Sequence, residues 1–383
     1  MKNLRGKIAI VGAAESDLGE VAQGLGPVDL MAQATHRALE DAGLQLADID
    51  GVFTATTQLP FPALSLCEYL RISPRYVDGT NLGGSSFMSH IGHALAAIHS
   101  GMCEVALIAY GSNQRTVGRS QSAPQEISPY DAPYSPRFPL NAYALAAARH
   151  MHEFGTTREQ LAEVAVAARQ WALLNPKAWE KTPLTVEDVL SAPIVSSPLT
   201  VRDCCLVTDG GGALIVTSAD RAKYLKKAPV YVLGIGDAVT HRHVASMPTL
   251  TTTGARLSGE RAYAMSGLSA KDIDVIELYD AFTICTILFL EDLGFCKKGE
   301  GGGFVQNGQI GPNGTWKVNT SGGGLSYCHP GMYGLMLLIE SVRQLRAECG
   351  ARQVAAAETA IVHGNGGVLS SESTVVLGLQ STL

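Results

Sequence analysis

Residues 38–50, ALEDAGLQLADID, return as AYAMSGLSAKDID at 262–274, keeping an alanine, a Gly-Leu step and a closing Asp-Ile-Asp. A self-similar stretch at this separation, with the same elements around each copy, calls for a fold built twice. Each copy runs into a buried strand, GVFTA in the first and VIELY in the second. Beyond it, NLGGSSFMSHIGHALAAIHSG corresponds to NTSGGGLSYCHPGMYGLMLLIESVRQL: an asparagine, a glycine turn and an apolar helix in both. CEVALIAYG likewise corresponds to ETAIVHGNGG. This divides the chain into halves at 1–225 and 226–383.

The strands are apolar on both faces and the two glycine-led helices are apolar nearly all round. Such helices need covering from two sides, so the fold class is α/β, with the helices between layers of sheet. Periodicity places a helix at Pro27–Ala42, with Leu30, Ala34, Ala38 and Leu39 on one face and Gly43 as its stop. The pattern breaks over about 112–200, where SQSAPQEISPYDAPYSPRFP reads as ordered loop. Helices at Asn141–Phe154 and Arg158–Asn175 follow, and the insertion is expected to cap the site.

A net charge of −6 without a basic run speaks against nucleic acid and anionic membrane as general partners. No segment approaches the ~20 apolar residues of a membrane span. Eight scattered cysteines without a CxxC pair suit reduced thiols in a cytoplasmic enzyme. His90, His93 and His99 share a helical spacing, but no acidic partner is expected close to them and no metal site is expected. Cys204 and Cys205 read as buried apolar residues. Arg115, Arg119, Arg169 and Lys177 in the insertion are candidates for phosphate groups of a ligand.

The chemistry is expected in NTSGGGLSYCHPGMY. Its three consecutive glycines permit positive φ and close approach to a ligand, and Pro330 fits the first turn of the apolar segment behind it. His329 would then stand at a helix N-terminus, where unpaired N–H groups favour the neutral imidazole and a neighbouring anion.

Four blocks carry a family resemblance across essentially the whole chain: NLGGSSFMSHIGHALAAIHSG, ELYDAFTICTILFLEDLGFCKKGEG, NTSGGGLSYCHPGMYGL and VHGNGGVLSSESTVVL, with DCCLVTDGGGALIVTS beside them. The sequence resembles the thiolase superfamily, in its lipid-transfer-protein-like (sterol-carrier-protein-type) branch. That resemblance implies the thiolase fold: duplicated βα halves in a five-layered αβαβα sandwich, with an inserted loop or cap domain. It also implies an acyl-CoA thioester as substrate and no bound cofactor. A thiolase carries a nucleophilic cysteine in the first block, a histidine in the third and an acid/base cysteine in the last. Here the nucleophile position holds Leu82, the third-block histidine is His329, and the last position holds His363. Ser85 and Ser86 reach the nucleophile position only if the loop slides.

What remains suits proton transfer at a carbon beside a thioester, with His329 and His363 as acid and base. Gly83, Gly84, Ser85, Ser86, Gly323, Gly324 and Gly366 would form the oxyanion and substrate loops. Tyr279-Asp280-Ala-Phe is closest to thiolase-like steroid side-chain aldolases, which cleave a β-hydroxyacyl-CoA without a covalent intermediate. By that resemblance Tyr279 is a proton shuttle, and Asp280 orients a neighbour. Those aldolases carry a second tyrosine where this chain has His329. Claisen-type acyl transfer or thiolysis, retro-aldol cleavage, and a non-catalytic carrier or scaffold role all stay open. The family further implies a homodimer and a small zinc-containing OB-fold partner subunit.

Overall fold

Strand β1 (Ile8–Glu15) is buried along its whole length, as an apolar run between two covering layers has to be. Helix α1 has the expected bounds, Pro27–Ala42, with proline in its first turn and Gly43 left-handed at its end. Then come β2 (Gly51–Thr54), α2 (Pro62–Leu70), β3 (Tyr76–Asp78), α3 (Ser86–His99) and β4 (Val105–Ser112). The insertion contributes α4 (Leu140–Phe154) and α5 (Arg158–Leu173), and a short ribbon pairs Ile194–Ser196 with Leu199–Thr200. The computed structural model describes residues 4–118 and 127–383. The chain continues with β5 (Gly210–Ser218), β6 (Val230–Val239), α6 (Ala255–Ser266), β7 (Val275–Leu278) and α7 (Thr283–Asp292). It closes with α8 (Gly334–Leu345), β8 (Thr359–Gly366) and β9 (Ser371–Gly378).

Among the described residues, nine strands form one mixed sheet in the order β3-β2-β4-β5-β1-β6-β9-β8-β7. The order carries the repeat. On one side β1 is antiparallel to β5, β5 to β4, and β4 and β2 are parallel. On the other β6 is antiparallel to β9, β9 to β8, and β8 and β7 are parallel. Even β3, parallel to β2, has a remnant counterpart: Val318 bridges in parallel to Ile276 of β7. The two series join at β1 and β6, where Ala9 lies opposite Tyr231 and Ile10 opposite Val230.

Helices α3 and α8 pack against each other and touch strands of both series, α3 meeting β2, β4, β8 and β9, and α8 meeting β1, β5, β7 and β8. Every residue of α8 except Arg343 is buried, the condition of a helix enclosed on all sides. Helix α1 covers β1, β4 and β5, and α6 covers β6 and β9. The layers are therefore helix, sheet, helix, sheet, helix. Among the described residues no helix is long and apolar enough to cross a membrane.

Candidate active site

The loop after β7 and the glycine turn are fastened by one carboxylate. Asp280, fully buried, accepts the backbone N–H groups of Gly324 at 2.6 Å and Leu325 at 3.4 Å. A Cβ on Gly323 would run into that carboxylate, and φ is +63° there and +103° at Gly322. Glycine is needed at these places so that the turn can close on Asp280. Burial raises the Asp280 carboxyl to about 7 while these N–H groups pull it down. Gly323 donates its own N–H to Ser321 Oγ at 3.3 Å. The N–H groups expected to face a ligand thus already have side-chain acceptors.

His329 does not stand at a helix terminus. Helix α8 begins only at Gly334, and Gly331, with φ +98°, turns the chain in between. Tertiary contacts hold the histidine instead. Its N–H donates to Thr208 Oγ1 at 3.0 Å, its carbonyl accepts from Gln114 Nε2 at 2.9 Å, and the Pro330 carbonyl accepts from the Tyr110 hydroxyl. The ring meets Tyr279 edge-on at 5.7 Å and stacks on Tyr333 at 5.9 Å. His329 is 8% exposed, and its buried Nε2 has no hydrogen-bond partner. Burial pushes the imidazole down to about 4, so it is neutral at neutral pH.

Tyr279 lies beside it with its hydroxyl already committed, donating to the Gly331 carbonyl at 2.7 Å and accepting the Tyr333 N–H at 3.1 Å. It ties down the turn ahead of α8. Burial raises its phenol well above the ordinary value.

From the other half comes the loop ahead of α3. Leu82 donates its N–H to Ser86 Oγ at 2.8 Å, and Ser85 Oγ donates to Ser371 Oγ at 3.0 Å. Both serines are wholly buried. Gly83 donates its N–H to Asn81 Oδ1 at 3.2 Å. A Cβ on Gly84 would overlap the Tyr279 ring and lie 2.6 Å from the Asn365 carbonyl oxygen, and one on Gly366 would strike the Leu82 carbonyl. The loops of the two halves meet backbone to backbone beside Tyr279.

His363 is enclosed elsewhere. Its Nδ1 lies 2.9 Å from Thr374 Oγ1, its Nε2 3.0 Å from Glu372 Oε2, and its ring packs edge-on against Phe289 at 4.5 Å. Burial holds the imidazole down at about 3 and the Glu372 carboxyl well above its usual range, which favours a neutral histidine beside a protonated acid. His329 and His363 thus have separate partners, and no hydrogen bond or ring contact joins them. Glu372 gave no sequence signal, since its pairing depends on the register of the β8–β9 hairpin. Asn365 and Tyr143, which hydrogen-bond at 2.7 Å beside the site, also escaped the sequence reading; only the asparagine's place within GNGG pointed to it.

Of the cations in the insertion, Arg169 is buried and donates to Ser326 Oγ at 3.0 Å, bracing the glycine turn. Lys177 pairs with the buried Glu15 at 3.1 Å, and Arg115 reaches Glu20 and lies over the Trp179 ring. Arg119 lies outside the described residues. The helix histidines do have an acidic neighbour, contrary to expectation: His93 Nδ1 is 2.9 Å from Asp78 Oδ2, and His90 lies 3.9 Å from Asp78 Oδ1. Strand β3 brings that carboxylate in, and no sequence spacing shows it. All eight thiols are raised by burial, Cys204 and Cys205 among them although both keep some exposure.

Residues 236–379 match the family described as thiolase C-terminal domain-like. The acetyl-CoA acetyltransferase of Methanothermobacter thermautotrophicus is 33% identical over 94% of this chain and 96% of its own. The 17-hydroxy-3-oxo-4-pregnene-20-carboxyl-CoA lyase of Mycobacterium tuberculosis is 33% identical over 96% of this chain and 98% of its own. Among solved structures, the Ltp2-ChsH2(DUF35) aldolase superposes with a TM-score of 0.88 at 30% identity, covering 99% of this chain and 100% of that one.

Proposed function

The chain belongs to the thiolase superfamily, and from that membership we propose that it cleaves a β-hydroxyacyl-CoA thioester by a retro-aldol reaction, without an acyl-enzyme. The observation that carries this is the open Nε2 of His329: a buried, neutral imidazole nitrogen with no partner, in a site whose nucleophile position holds Leu82. Retro-aldol chemistry needs a base and a place for an enolate, and no thiolate. The raised thiols and the enclosed Ser85 and Ser86 support the same choice. The lyase and the solved aldolase that this chain resembles agree with it.

In this reading His329 Nε2 takes the proton of the substrate β-hydroxyl. The Cα–Cβ bond breaks, the β-carbon becomes a carbonyl, and the electron pair passes into a thioester enolate. The N-terminus of α3 favours the enolate oxygen. The proton held on His329 then returns to the α-carbon. Tyr279 and Asp280 fix the loops that carry the base. In this reading His363, a residue of β8 itself, ties that strand to β9 through Thr374 and Glu372 and takes no acid/base part. The solved aldolase is named as a two-component assembly, which supports a partner subunit; the small zinc-containing OB-fold protein that the family resemblance implies is the proposed one, and homodimerisation remains the family expectation.

Claisen-type transfer is the second reading, favoured by the acetyl-CoA acetyltransferase relative. One experiment separates them. The purified chain, with and without a co-purifying partner, is mixed with β-hydroxyacyl-CoA and β-ketoacyl-CoA panels and followed by product analysis and intact-protein mass. Retro-aldol cleavage gives a shortened acyl-CoA and an aldehyde or ketone, needs no free CoA and leaves no adduct. An acylated protein, or thiolysis that depends on CoA, would overturn the proposal.

A further inference from the structure

The end of β8 holds a polar group that the reaction above does not use. Asn365 is 2% exposed; its Nδ2 donates to the Tyr143 hydroxyl at 2.7 Å, and its Oδ1 is buried without a hydrogen-bond partner. Turning the amide over exchanges its ends, and a tyrosine hydroxyl can donate or accept. In either orientation one end of the amide is satisfied and the other is open. Such a group is costly to bury unless something pairs with it.

Its surroundings say what that is. The Asn365 backbone carbonyl oxygen and the Tyr279 ring converge on the same point above Gly84, and the Tyr279 ring meets His329 on another side. Asn365 and His329 therefore flank one tyrosine. Tyr143 comes from α4 of the insertion, with its ring stacked on Phe282 at 4.5 Å. The insertion and the last glycine loop together hold one amide end unpaired on a residue whose backbone touches the Tyr279 loop.

We infer that the Asn365 amide, held by Tyr143, is the specificity-determining contact for the oxygen on the β-carbon of the bound thioester, an assignment that rests on the retro-aldol reading. A hydroxyl both donates and accepts, so it satisfies the open end in either orientation. A methylene at that carbon leaves it unpaired, and a site built around a polar group discriminates strongly against a ligand lacking its partner. The substrate class selected is the β-hydroxyacyl thioester over the saturated acyl thioester.

The test is calorimetric binding of 3-hydroxyhexanoyl-CoA and hexanoyl-CoA to the His329→Ala protein, which prevents turnover during titration. The hydroxy ligand is expected to bind about tenfold tighter. Asn365→Leu, added to that background, should bring the two affinities together. Tyr143→Phe keeps the stacked ring, covers the case in which Asn365→Leu does not fold, and should shrink the preference. Equal affinities in the His329→Ala parent, or a preference that survives both substitutions, would overturn the assignment. If the preference follows Asn365 while the unmodified enzyme breaks no carbon–carbon bond, the retro-aldol reading falls and the contact stands.

Discussion

The hydroxyl of Tyr279 donates to the carbonyl of Gly331 at 2.7 Å, across 52 residues of sequence, and so decides where the turn carrying His329 comes to rest. Replacement by phenylalanine strands the Gly331 carbonyl and the Tyr333 N–H in a buried place. Tyr279→Phe is expected to cost about 1–3 kcal/mol of stability, read from urea midpoints, together with a loss of turnover. A large loss of turnover at unchanged stability would make Tyr279 a direct proton carrier instead.

His329→Ala should lower the rate by about 10² to 10⁴ with the fold retained, as loss of a general base does. A rate within twofold of the unmodified enzyme removes His329 from the chemistry.

The same residue fixes a pH dependence. With the folded imidazole at about 4 and an ordinary value of 6.5, the unfolded chain binds a proton that the native one refuses. Stability from this group is present above 6.5 and is lost as pH falls towards 4, at up to about 1.4 kcal/mol per pH unit. The stability of the native protein relative to His329→Gln should therefore decline between pH 7 and pH 5. A constant difference in urea midpoints would mean that the ring titrates normally.

Gly84→Ala puts a methyl group into the Tyr279 ring and is expected to cost about 1–3 kcal/mol or more, with loss of activity. Gly303→Ala meets nothing within 4 Å and should be neutral or slightly stabilising. Equal melting temperatures for the two variants would contradict the close contact between the loops.

With every thiol raised above its ordinary value, iodoacetamide at pH 7.5 should label the folded protein slowly and leave its activity intact. Fast modification of one cysteine, tracked by mass and accompanied by inactivation, would restore a thiol to the mechanism.

Much of the fold could be read from local chemistry. Pro27 and Gly43 bound α1 because a fixed φ and a left-handed stop are properties of single residues. The repeat located β2 and β7, and all-round apolarity put α3 and α8 in the middle layer. The site was legible only as far as its loops. His329 was expected at a helix start because Pro330 suits a first turn, but Gln114, Thr208 and Tyr110 hold the turn open from distant parts of the chain. His363 looked free in a glycine-rich loop until the hairpin register set Thr374 opposite it and brought Glu372 to its ring. No local pattern encodes a register.

The seam between β1 and β6 makes the two halves neighbours for the lifetime of the chain. Two identical units meeting in this way would show every residue twice, and their shared loops could hold only symmetric chemistry. Within one chain the symmetry is free to lapse. One glycine loop carries Leu82 and buried serines, and its counterpart carries the open imidazole. In the proposed reaction, a base on one side with no nucleophile opposite it gives a bound thioester a direction.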